Sequence, residues 1–261
     1  MNITICLAAR TIYYHDGGGH FWVYMNWALG LKLLGCEIIW LEYINDETPE
    51  DEIRTLTKNL TEKLDSFGFS DRLALCTKSG SERKIIEALG VINISTAADK
   101  ADILINQWYG MPQSILKKFK KTVFFDIDPG LTQVWMAKGY LPVASHDTYF
   151  TIGETVGKPG AKFPHLGLAW HYVPPCVALD NWPVINSPAN SPYTTVTHWS
   201  MNLWEDDNGA GLLRFRNFNE AIKCIEEAEA NNEKHCKLTR ALAEEYFDAK
   251  KVAKSLLERV L

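Results

Sequence analysis

Long hydrophobic runs are scarce in this 261-residue chain. No apolar stretch approaches the roughly 18 to 20 residues that a membrane-spanning helix needs, so no transmembrane segment is expected. The first apolar run, residues 2–8, has no basic segment ahead of it and is cut short by Arg10, which argues against a secretory leader. Cysteines occur at Cys6, Cys36, Cys76, Cys176, Cys224 and Cys236, with no Cys-x-x-Cys pair and no His at zinc-ligand spacing. No zinc site or disulfide framework is expected, and reduced, buried thiols in a cytoplasmic protein are the reading. Basic charge is not in excess either. Lys and Arg total 27 against 32 Asp and Glu, a net charge of −5, which gives no electrostatic reason to expect a nucleic-acid partner. Two catalytic signatures are also missing: Gly-x-Gly-x-x-Gly, because Phe21, Trp22 and Val23 follow His20, and the Gly-x-Ser-x-Gly elbow of hydrolases.

What remains is ample apolar material, 46% of residues with 11% aromatic, enough for a well-buried core. Residues 2–8 read as a buried parallel strand running into a glycine-rich loop. Residues 20–34 carry Phe21, Tyr24, Ala28, Leu31 and Leu34 at helical spacing, and Gly35 is placed to end that helix. Residues 36–41 read as the next strand, completing a right-handed βαβ unit. Alternation continues with helices over 49–67 and 81–89, strands over 72–76, 102–105 and 122–125, and further strands over 149–152 and 193–197. The expected fold class is α/β, a Rossmann-like doubly wound and mostly parallel sheet. Residues beyond 218 read as helices over 220–230 and 233–246, with a last one opened by Asp248. The domain reading is a Rossmann-like sheet domain over 1–204, a junction over 205–211 and a helical segment over 212–261.

The strongest local feature is Gly17-Gly18-Gly19-His20 between the first strand and its helix. Glycines there allow positive φ and close approach of the backbone to a ligand, and the helix start offers free N–H groups. His20 is a candidate general base at the first helical turn, or a packing histidine. His15 is placed to orient a polar ligand, or is a solvated loop residue. Asp126-Ile127-Asp128-Pro129-Gly130 follows an apolar strand, so its carboxylates belong at the carboxyl edge of the sheet. Asp128 is a candidate for holding a hydroxyl-rich substrate and Asp126 for substrate binding; the alternative for the pair is a turn before Pro-Gly. Asp-x-Asp can also hold a divalent metal, but two carboxylates do not define a site and no metal ligand is assigned. Glu154 joins the candidates from a stretch dense in His and Trp, the mixture of flat faces and polar groups that sugar recognition uses.

The stretch from Gly17 through Leu34-Gly35-Cys36-Glu37-Ile38-Ile39-Trp40-Leu41-Glu42 resembles the start of the acceptor-binding domain of GT-B glycosyltransferases, in particular bacterial family 1-like and family 4-like proteins. Gly211-Leu212-Leu213-Arg214-Phe215, Asn219-Glu220-Ala221 and Arg240-Ala241-Leu242-Ala243-Glu244-Glu245-Tyr246-Phe247 are similar to their last helices. The resemblance implies sugar transfer from a nucleotide-sugar donor to an acceptor hydroxyl, with no cofactor beyond that donor. His20 falls where some members place their catalytic base, and the glycine turn where the backbone approaches donor phosphates. The family's donor-site glycine turn and glutamate-bearing motif are not visible in this sequence, so by the resemblance most of a donor-binding domain is expected to be absent from it. Alternatives therefore stand beside the transferase: a non-catalytic glycan- or acceptor-binding module, a split enzyme whose partner chain supplies the donor domain, a metal-dependent transferase, or, on the strength of Glu42, an NAD(P)-dependent oxidoreductase.

Overall fold

The structure, a computed structural model, describes residues 3–80, 83–185, 215 and 217–261. Its core is one sheet of eight parallel strands: β1 (Thr4–Ala8), β2 (Glu37–Ile44), β3 (Leu73–Thr77), β4 (Ile92–Asn93), β5 (Ile103–Asn106), β6 (Thr122–Asp126), β7 (Thr148–Thr151) and β8 (Trp170–Tyr172). Helices α1 (Gly18–Leu33), α2 (Glu50–Ser66), α3 (Lys84–Ala88), α4 (Ile94–Lys100), α5 (Gln113–Leu116) and α6 (Leu131–Ala137) lie between strands. The chain continues through α7 (Phe218–Ala230), α8 (Asn232–Tyr246) and α9 (Ala249–Val260). Among the described residues no helix is long and apolar enough to cross a membrane. The strand expected over 193–197 lies outside the described residues.

Strand alternation divides the apolar residues between two faces. Ile5, Leu7, Ile38, Trp40, Ile103, Ile105, Val123 and Phe125 share one core with α1, α2 and α9, whereas Cys6, Ala8, Ile39, Leu41 and Leu104 share another with α4 and α5. Strands buried on both faces need near-continuous apolar sequence, which is why the short runs at β1, β5 and β6 carry so little polarity. The fold is therefore Rossmann-like and doubly wound. Helix α1 ends as its sequence indicates: Gly35 takes φ +81°, while the N–H groups of Gly35 and Cys36 reach the carbonyls of Lys32 and Leu31.

Strand order is β4-β3-β2-β1-β5-β6-β7-β8. The chain builds outward from β1 to β4, then returns to the other side of β1 and builds outward again to β8. The break falls between β1 and β5, where consecutive connections depart to opposite sides and leave a crevice at the carboxyl ends.

Two compact units emerge, residues 1–178 with 249–261, and residues 179–248. The division differs from the sequence expectation of a cut at 205–211, a stretch outside the described residues. Helix α9 belongs to the sheet unit because its apolar stripe, Val252, Ala253, Leu256, Leu257 and Val260, is buried in the α1 side of the core. In the second unit, α7 opens on Asn217, whose side chain accepts the N–H of Glu220 at 3.0 Å, and α8 follows directly.

Candidate functional site

Leaving β1, the chain is fixed at Thr11. The buried carboxylate of Glu42, on β2, accepts the Thr11 N–H at 2.8 and 2.9 Å, the Thr11 hydroxyl, and the Trp40 indole N–H at 2.9 Å. Burial pushes the Glu42 carboxyl up, and the donors from Thr11 and Trp40 pull it back. Glu42 is thus occupied as a clamp on the loop, and its oxygens are not free for a ribose. Lys63 of α2 holds the next part of the loop. Its ammonium donates to the carbonyl of His15, lies 3.9 Å from Asp16 and sits 4.4 Å from the centre of the Phe21 ring.

The glycines do not turn through positive φ as expected. Gly17 has φ −71° and caps α1, and Gly18 and Gly19 already belong to its first turn, so helical angles replace the expected left-handed ones. Gly17 is needed for space: a Cβ there would lie 2.1 Å from the Tyr14 ring. Around Gly18 and Gly19 a Cβ would meet nothing within 4 Å. Gly18 N–H bonds to the Asp16 carbonyl and Phe21 N–H to that of Gly17, both at 2.9 Å. The N–H groups of Gly19 and His20 have no acceptor among the described residues, the ordinary condition of an uncapped helix start.

His20 stands between the rings of Tyr14 and Tyr24, at centroid distances of 5.9 and 5.4 Å. Its Nε2 lies 2.6 Å from the carbonyl oxygen of Arg10. A carbonyl can only accept, so Nε2 carries the hydrogen and, in the neutral ring, Nδ1 keeps its lone pair. Sequence placed His20 at the helix start; only the structure shows which nitrogen is available.

These residues open on a cavity of about 430 Å³ at the carboxyl edge of the sheet. Arg10 enters it from the end of β1, Gly19, His20, Tyr24 and Trp27 from α1, Gln107 and Tyr109 from beyond β5, and Asp128 from beyond β6. Ile152, Pro175 and Cys176 complete the wall from the loops after β7 and β8. The cavity lies at the break in strand order, where β1 and β5 send their connections apart. Arg10 has no carboxylate in ion-pair reach among the described residues, and its guanidinium lies 6.0 Å from the centre of the Tyr43 ring. The Tyr109 hydroxyl donates to Asp128 Oδ2 and accepts the N–H of Ile127, both at 3.2 Å. Burial, then the neighbouring Asp126 and Asp128 charges, push that phenol far up, so it stays a donor.

Of the residues singled out in sequence, Gly19, His20 and Asp128 meet in this cavity. Gly17, Gly18, His15, Asp126 and Glu154 do not line it. His15 turns toward Asp16, at 3.4 Å, and exposed Glu154 pairs with Lys158, four residues on in the turn after β7, at 3.2 Å. Asp126 is wholly buried and accepts from Gln133 Nε2 and Thr151 Oγ1 at 2.8 Å and from the Asp128 N–H at 3.0 Å. Its carboxyl is pushed up by burial and pulled back by those donors. It organises the turn that presents Asp128, the alternative open for this pair in sequence. Among the described residues no group of three or more His, Cys, Asp or Glu is placed to hold a metal ion. Arg10, Gln107 and Tyr109 went unnoticed in sequence, yet each follows a strand of the break by four residues or fewer.

No family model matches the chain, and no curated protein or solved structure matches it either.

Proposed function

We propose that this chain is a glycosyltransferase-type protein in which the cavity takes an acceptor and His20 removes the proton from its attacking hydroxyl. The observation that carries this reading is the Arg10 carbonyl on Nε2, which leaves Nδ1 as the basic nitrogen and stabilises the imidazolium that forms. As the acceptor oxygen bonds to the anomeric carbon, the bond from that carbon to the donor phosphate breaks. The electron pair departs with the nucleoside diphosphate, and the acceptor proton goes to His20. Asp128, with Tyr109 donating to one of its oxygens, is available to accept a second hydroxyl and fix the acceptor's angle. The unpaired N–H groups of α1 and the Arg10 guanidinium supply positive potential on the same side, suited to a departing phosphate.

The test is release of nucleoside diphosphate from a panel of UDP-, GDP- and dTDP-sugars in the presence of glycan or lipid-like acceptors. His20→Ala is expected to lower turnover by about 100-fold or more with little change in thermal stability, since general-base catalysis contributes on that order. Equal turnover in wild type and variant would remove His20 from the chemistry.

A second reading rests on a different observation. The described part of residues 179–248 contains α7 and α8 and no strand, so the described residues hold one parallel sheet where a GT-B enzyme closes two over its donor. The chain would then be the acceptor half of a split transferase, completed by a partner chain, or a glycan-binding module. Calorimetry separates these: acceptor binding without nucleotide binding supports the half-site or module, and tight UDP or GDP binding by the chain alone supports the complete enzyme.

A further inference from the structure

Gln107 carries an unusual burden. It is the first residue beyond β5, 2% exposed, and both its side-chain oxygen and its side-chain nitrogen lack a hydrogen-bond partner among the described residues. Its backbone is not at fault, because the N–H still bonds to the Ala8 carbonyl at 3.2 Å and keeps β1 and β5 together up to the point where they part. Alternation along β5 fixes the direction of the side chain. Asn106 faces the α4 side, where it engages His146 at 3.0 Å and receives the Trp108 N–H at 2.8 Å. Gln107 therefore follows Ile103 and Ile105 to the α1 side and is among the residues that line the cavity with Gly19 and His20. A buried carboxamide with neither half paired costs stability, and an apolar residue of the same size would be the better structural choice.

We propose that Gln107 determines specificity in this cavity by reading a vicinal diol of a sugar or polyol. One hydroxyl would donate to Oε1 and its neighbour accept from Nε2. A carboxamide presents an acceptor and a donor side by side, and two adjacent hydroxyls present the complement at matching separation. The apolar sides of Trp27, Ile127 and Ile152 around it suit the C–H face of such a ring. This deepens the acceptor reading above and rests on it for the choice of ligand class, but not for any chemical step.

The test uses the full chain with glucose, galactose, mannose and myo-inositol and with singly deoxygenated counterparts of each sugar, followed by saturation-transfer NMR and calorimetry. At least one ligand is expected to bind, and to lose about tenfold or more in affinity when one hydroxyl of the recognised pair is removed. Gln107→Met should abolish that discrimination while the melting temperature holds or rises, because the variant removes a polar group that the free protein leaves unpaired. A melting temperature lowered by Gln107→Met with discrimination intact would show that Gln107 is structural and overturn the proposal, as would failure of every sugar and polyol to bind. Deoxy discrimination that depends on Gln107, in a protein with no transfer activity, would uphold this proposal while the transferase reading falls. Transfer that proceeds with discrimination unaffected by Gln107→Met would do the reverse.

Discussion

Gly18 and Gly19 are neighbours on the first turn of α1 and have the same free space, yet only Gly19 borders the cavity. Neither has positive φ, so alanine is compatible with the backbone at both positions. Each single replacement is expected to stabilise the fold by a few tenths to about 1 kcal/mol through the unfolded chain's lost freedom. The two should separate in function. Gly19→Ala places a methyl group on the cavity wall and should weaken ligand binding, whereas Gly18→Ala should leave it alone, as thermal unfolding and sugar-binding titrations run side by side would show. Lowered melting temperatures in both variants would instead mean that the backbone itself requires glycine. The same residue-level view explains why Asp126 and Asp128 read alike in sequence. Both follow an apolar strand, and what sets them apart is that Gln133 and Thr151 converge on Asp126, contacts made by residues with no sequence signature of their own.

Between elements, α1 and α9 pack closely at Gly30. A Cβ on Gly30 would lie 2.5 Å from the Ala249 carbonyl oxygen, which is backbone and cannot swing away. Gly30→Ala gains roughly 1 kcal/mol of helix propensity, but forcing α9 outward costs about 1 to 3 kcal/mol, and more where the buried stripe of α9 loses contact. The net expectation is a lowered midpoint in urea, opposite in sign to Gly18→Ala. An unchanged or raised midpoint would mean that α9 does not hold this position. At this scale the sequence was informative: the first βαβ unit, the helix stop at Gly35 and the last helix all follow from apolar spacing and one glycine. The start of α1 came two residues earlier than its apolar periodicity, because glycines carry no hydrophobic signal. The two-residue strand β4 and the three-residue strand β8 are too short for any period to register. Arg10, Gln107 and Tyr109 were hidden for another reason: each is a lone polar side chain past a strand, and only the strand order, with its break between β1 and β5, brings them together.

For the molecule as a whole, acid is a sensitive variable because of His146. Its Nδ1 lies 2.7 Å from the Ala144 carbonyl and its Nε2 3.0 Å from the Asn106 amide, so the ring is held neutral with both nitrogens engaged. Burial pushes it down to about 4, partly offset by the Ala144 carbonyl and Asp147. The unfolded chain takes up this proton near pH 6.5, the folded protein only near 4. Between those values the unfolded state binds more protons, so the contribution is complete above about 6.5 and is lost as pH falls toward 4. It amounts to about 3 kcal/mol at most. Glu42 and Asp126 act with the opposite sign, since raised carboxyls favour the folded state once protonated and lose that contribution as pH rises through their folded values. Urea denaturation at pH 7 and pH 5 should therefore show a loss of stability in the wild type that His146→Asn reduces. Equal losses in both proteins would place the acid sensitivity elsewhere.

The packing of Ala249 into the groove at Gly30 also bears on how the protein comes into being. Helix α1, which carries His20 and one side of the cavity, is made before α9, which packs against it, and the whole second unit is made between them. Until α9 is made, the flank of α1 at Gly30 lacks the cover that Ala249 gives it, the kind of transiently open apolar face that favours association over folding. Full packing of the helix that carries His20 therefore waits on a segment made more than one unit later.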